Sequence, residues 1–175
     1  MVKKIVIGII LITLIAIGGL FAINGKDNYD ATKYFTSASN GLNVGSKIDF
    51  TLPDQFDKSH SLSDDTQKII FAFAKSTGHT VREFLKKQDK NYLTDKKALF
   101  VADISPMPTI IRNTFALPDL KKSDYSVLLI YDKEIAKKLK DDKNSDKIAI
   151  ATLKNKEITK MDYVTTQKEL EDKLK

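Results

Sequence analysis

The residues with the most chemistry to offer lie in one short stretch, Lys75-Ser76-Thr77-Gly78-His79-Thr80. Thr80-x-x-Glu83 has the spacing of a capping box, and Val81, Phe84 and Leu85 then share one face of a helix over residues 80–88. Residues 75–79 are thus expected to form a turn at a helix N-terminus. Unpaired N–H groups and the positive end of the helix dipole favour an anion or a carbonyl there. Ser76, Thr77, Gly78, His79 and Thr80 are therefore the candidate binding residues. The same residues also have plain structural uses: Thr80 as the cap, Gly78 for a tight turn, His79 as a solvated loop residue. A Ser76 or Thr77 nucleophile would need a base and an orienting acid in register, which spacing alone does not place.

A second constellation is His79 with Asp103 and Asp132. Both acids follow apolar runs of strand length, and ligands gather at the carboxyl edge of parallel strands. One imidazole and two carboxylates suit a hard cation or zinc. Equally, each acid can end its strand or cap the helix after it. No catalytic residue and no cofactor is assigned. Cysteine is absent and the only histidines are His60 and His79. That excludes disulfides, thiol redox chemistry and thiolate zinc sites. Of the 29 basic residues only Arg82 and Arg112 are arginine, and acidic residues alternate with the lysines. No clustered arginine and aromatic surface suggests a nucleic-acid partner.

These residues need elements to position them. Ile48-Asp49-Phe50-Thr51-Leu52 alternates as a half-buried strand, and 59–62 suggest a second short one. The continuous apolar runs 69–74, 98–102 and 127–131 read as strands buried on both faces. Ser105-Pro106 looks like a cap and first helical position, with Met107, Ile110, Ile111 and Phe115 as a core-facing stripe ended by Leu117-Pro118. A helix is expected over 133–139 and a hairpin over 148–153 and 158–164. The box Thr166-x-x-Glu169 opens a last helix through Leu174. Strands alternating with helices imply a three-layer α/β sandwich around a mixed, mostly parallel sheet with an antiparallel edge.

The start of the chain is different in kind. Ile5 to Ile23 is a run of uncharged residues, about 28 Å long as a helix. It predicts a transmembrane signal anchor. Lys3 and Lys4 before it favour a cytoplasmic N-terminus and an extracytoplasmic remainder, with a periplasm as the default compartment. A cleaved signal peptide is the alternative, although its apolar core usually spans about 7–15 residues. The expected organisation is a cytoplasmic 1–4, an anchor 5–23, a linker 24–46 rich in Asn, Gly and Ser, and a domain 47–175.

From Gly45 to Leu62 the chain reads GSKIDFTLPDQFDKSHSL, and residues 68–74 read KIIFAFA. These segments and the element order resemble the thioredoxin superfamily, specifically its peroxiredoxin branch, over residues 44–174. The strand-helix unit 127–139 favours that branch over minimal thioredoxins. The resemblance implies a thioredoxin-like fold with its chemistry at the turn after the central strand. Peroxiredoxins carry Thr-x-x-Cys-x-x-Glu there; this chain carries Thr77-x-x-Thr80-x-x-Glu83. The peroxidatic position thus falls on Thr80, which cannot pass through a sulfenic acid or a disulfide. No arginine follows Arg112 to serve as the family's helper, and 144–147 lack the proline that faces the site in thioredoxins. The expectation is a redox-inactive, membrane-anchored module that binds or scaffolds an envelope protein. The alternative is a metal- or small-ligand-binding protein, or a non-redox enzyme, using His79, Asp103 and Asp132.

Overall fold

The computed structural model describes residues 2–175; inside the first helix the side chains of residues 2–4, 8, 11, 14–17 and 20 lie outside that description. This helix, α1, runs Val2–Asn24. The expected anchor at 5–23 falls within it, partly on side chains outside the description. Among the described residues no helix is long and apolar enough to cross a membrane.

The domain is built on a five-stranded sheet. Its strands are β4 (Lys68–Ala72), β5 (Ala98–Asp103), β6 (Leu128–Ile130), β7 (Ile148–Lys154) and β8 (Glu157–Val164), in the order β6-β5-β4-β7-β8. The pairs β4–β5 and β5–β6 are parallel, while β4–β7 and β7–β8 are antiparallel. The sheet is therefore evenly mixed rather than mostly parallel. Residues 140–147 carry the chain back to the edge where β4 ends, so Ile148 pairs with Ala72 and β7 runs down the sheet.

Both faces are covered. On one, α2 (Lys75–Leu85) and α7 (Gln167–Leu174) bury Val81, Phe84, Leu85, Leu170 and Leu174 against Ile70, Phe100 and Leu129. On the other, α6 (Lys133–Leu139) contributes Ile135, Ala136 and Leu139. Beside it lies a small antiparallel sheet of β1 (Phe35–Ala38), β2 (Ile48–Pro53) and β3 (Ser59–Ser61), which adds Ile48, Phe50 and Leu52. Alternation along β2 thus buries every second residue, as its sequence pattern requires.

Strand β1 corrects the expected linker. Its sequence, Phe-Thr-Ser-Ala, buries only Thr36 and leaves Phe35 and Ser37 exposed. An edge strand of this kind carries no apolar alternation, and β2 supplies its partner groups.

The chain from Arg112 to Leu120 is the second correction. A helix does not start at Ser105. Ser105 is buried, and its N–H donates to Asp103 Oδ1 at 2.9 Å. Helix α4 (Thr109–Ile111) leads into a π-helical turn, Arg112–Ala116, and then α5 (Leu117–Leu120). Pro118 lies in the first turn of α5, directly after the π turn, instead of ending the helix. Between α2 and β5 the chain makes one further short helix, α3 (Tyr92–Asp95).

Candidate functional site

Helix α2 begins at Lys75, not at Thr80. Thr77 explains the early start. Its Oγ1 accepts the Ala74 N–H at 3.2 Å and donates to the Ala74 carbonyl at 2.8 Å, holding the strand-to-helix junction from inside the first turn. The expected turn is therefore helical, and Thr80 is not the cap. Thr80 lies in the second turn, where its hydroxyl donates to the Ser76 carbonyl at 3.1 Å. Gly78 does not serve a tight turn. Its N–H donates to Ala74 O at 3.0 Å in the helix ladder, and positive φ occurs at Gly41 and Gly45, not here.

The five candidates are not equivalent. Thr77 is buried and spent on the junction, Thr80 is partly buried, and Ser76 and His79 are exposed. Lys75, Gly78, His79 and Arg82 form one wall of a cavity of about 400 Å³ over the ends of β4 and β5. Ala102, Phe100 and Leu120 line its depth, and Met107, Ile111 and Phe115 form the opposite wall. The groove is thus mainly apolar, with basic groups along the α2 side. Arg82 is paired with Asp119 at 2.8 Å across the far end.

Met107, Ile110, Ile111 and Phe115 do not form the core stripe their spacing suggested. Ile111 is 45% exposed and Phe115 65% exposed, while Arg112 is only 4% exposed. Met107, Ile111 and Phe115 do share a face, but that face lines the groove instead of meeting the core, and Arg112 is the residue turned inward.

Asp103 also lines the groove, and burial pushes its carboxyl above the usual carboxylate range despite the Ser105 N–H and hydroxyl and the Lys140 charge. Asp132 is held elsewhere. It caps α6, where its Oδ1 accepts the Glu134 N–H at 2.7 Å. His79, Asp103 and Asp132 are therefore not gathered as ligands, and no group of three or more His, Asp or Glu fit to hold a metal occurs among the described residues.

Two buried arrangements were missed by spacing arguments. Arg112 pairs with Asp27 at 2.7 Å and lies 4.7 Å over the Tyr131 ring. Tyr131 stacks on Tyr29, which stacks on Tyr34. Burial pushes the Tyr29 hydroxyl up to about 12, with the Asp132 charge adding to it. Burial acts against ionisation of Asp27, but the Arg112 guanidinium and the Tyr29 N–H outweigh it and hold the carboxyl below its usual range. Asn113 Nδ2 donates to the carbonyls of Asn24 and Lys26, both at 2.9 Å. The chain leaving α1 is thus fastened to the domain. The second arrangement is the Pro53-Asp54-Gln55-Phe56 turn. Buried Gln55 donates to Tyr125 O and accepts the Val127 N–H, both at 2.8 Å, tying the turn to the entry of β6. Asp54 accepts the Phe56 and Lys58 N–H groups and meets His60 Nε2 at 2.8 Å.

No protein-family model and no curated protein matches the chain in sequence. Among solved structures it is similar to the peroxidoxin BcpB of Mycobacterium tuberculosis, at 15% identity and a TM-score of 0.49, over 76% of this chain and 94% of that one. It is also similar to the thioredoxin domain of a thiol-disulfide oxidoreductase from Bacteroides vulgatus, at 16% identity and a TM-score of 0.49, over 77% of this chain and all of that one. A thioredoxin-like protein from Porphyromonas gingivalis aligns at 15% identity and a TM-score of 0.46, over 71% and 86%. Strand order, strand directions and the helix after the central strand make this domain a mixed α/β, thioredoxin-like fold, and it contains no cysteine.

Proposed function

We propose that this chain is a membrane-anchored, extracytoplasmic binding module of the cell envelope without redox activity, and that a partner protein docks in the groove between α2 and the Met107–Phe115 wall. The observation that carries the reading is the groove itself. It lies where thiol chemistry would lie in the fold, it is mainly apolar, and it leaves Ile111 and Phe115 in solvent. Soluble domains seldom expose large side chains in a cluster beside a concave apolar surface unless something covers them. The anchor is supported by the uncharged run 5–23 and by Lys3 and Lys4 ahead of it.

A photo-crosslinking residue at His79, in the full-length protein in its native membrane, tests the docking site. Lys173 on α7 is the control position. A discrete adduct at 79 and none at 173 supports docking and gives the partner by mass. No adduct at 79, with normal localisation, removes the reading. A second reading, a small ligand in the groove, draws on Asp103, whose carboxyl is raised by burial and faces the cavity. Retention of a small molecule by purified protein, lost in Asp103→Asn, would favour it.

A further inference from the structure

We infer that the Ile111–Phe115 edge of the domain rests on the bilayer surface beside α1; this rests on the anchored reading above. The position of that edge follows from how the chain leaves α1. No free tether intervenes. Asn113 binds the carbonyl of Asn24, the last residue of α1, and that of Lys26, while Arg112 holds Asp27. Helix α4 packs against α1 itself. Residues 109–113 therefore sit level with the final turn of α1, where an anchored chain emerges from the hydrocarbon.

The side chains at that level suit a lipid interface. On α1, Phe21 and Ile23 are exposed, Ile23 by 78%. On the domain, Arg112, Asn113 and Leu117 share a crevice with Ile23, and Ile111 and Phe115 on the same stretch are exposed along the groove. Lys121 lines the same crevice as Ile23 and Asn24, and Lys26 and Lys122 are exposed close by in the chain. Apolar side chains inserted at the headgroup and acyl boundary, with lysines reaching phosphates, form the usual interfacial pattern. A partner would then reach the groove along the membrane plane.

The chain has no tryptophan, so single substitutions give clean fluorescence probes. Full-length Phe115→Trp is reconstituted in phosphatidylcholine–phosphatidylglycerol vesicles with and without brominated acyl chains. Ile12→Trp reports the anchor, and Val44→Trp, on an exposed loop of the small-sheet side, reports water. The expected result is a blue shift and quenching at 115, strongest with bromines near the headgroups and matching burial of about 5–10 Å. Quenching at 12 with none at 115 overturns the inference and leaves the anchor standing; a protein or water then covers this edge. No quenching at 12 or 115 overturns both. Ile111→Trp repeats the measurement one turn earlier.

Discussion

Gly78→Ala is the substitution that separates a helical site from a turn. Gly78 is the fourth residue of α2, its N–H bonds Ala74 O at 3.0 Å, and it lacks positive φ. A Cβ built on it meets nothing within 4 Å, so the methyl enters the open groove without a clash. Only the backbone term remains. Alanine in a helix is favoured over glycine by about 0.5–1 kcal/mol. For a domain of this size about 1 kcal/mol moves Tm by about 2–4 °C. Thermal unfolding of the full-length protein in detergent, followed by the near-ultraviolet circular dichroism of its tyrosines, should show Tm rising by about 1–4 °C. If residues 75–79 formed a turn that needs glycine, the same substitution would lower Tm by a similar amount. A fall, or a broadened transition, would refute the helical assignment and the groove wall built on it.

Three other outcomes follow from the buried polar groups. Arg112→Ala removes the ion pair, the cation over Tyr131 and the packing of a buried side chain, for a loss of about 3 kcal/mol by urea unfolding; limited proteolysis should then cut within 24–34, whereas Arg112→Lys, lacking the planar fork, should lose about half as much. Gln55→Ala leaves Tyr125 O and Val127 N–H without their partner, for about 2–4 kcal/mol by the same assay. Burial works against ionisation of Asp54, but His60 and the Phe56 and Lys58 N–H groups overcome it and depress its pKa. A depressed carboxylate contributes stability above its unfolded value, about 3.9, and loses it as pH falls further. The wild-type urea midpoint should therefore drop below about pH 4, and Asp54→Asn should flatten that limb relative to neutral pH; an unchanged limb would refute the assignment.

The sheet was legible because its strands carry strong signals. Residues 69–72, 98–102 and 128–130 are apolar runs that only a doubly covered strand can bury, and β2 alternates. The box at Thr166 was equally plain. Glu169 N–H donates to Thr166 Oγ1, and Glu169 Oε2 accepts the Thr166 N–H. At α2 the same motif misled. Thr80-x-x-Glu83 has the right spacing, but Thr77 had already closed the junction three residues earlier. At Met107–Phe115 the spacing found a shared face, but spacing does not say whether a face meets the core or borders a groove. The docking of 24–34 was hidden for another reason. It depends on Arg112 and Tyr131, which lie far away in sequence and meet Asp27 and Tyr29 only after folding.

The π turn also governs how this stretch can be edited. An i→i+5 turn contains one residue more than the α turn it replaces. Deleting Thr114 from within it would return the segment to ordinary α geometry and leave α4 and α5 in their present phase. Deleting a residue from α5 instead would rotate everything beyond it by about 100° and take Leu120 out of the core. The stretch thus holds one spare residue at a fixed address. Its removal leaves Arg112 and Asn113, which precede it, in the phase set by α4, so the clasp on the chain leaving α1 outlives the bulge. A single codon can therefore be lost there while the domain stays locked to its N-terminal helix.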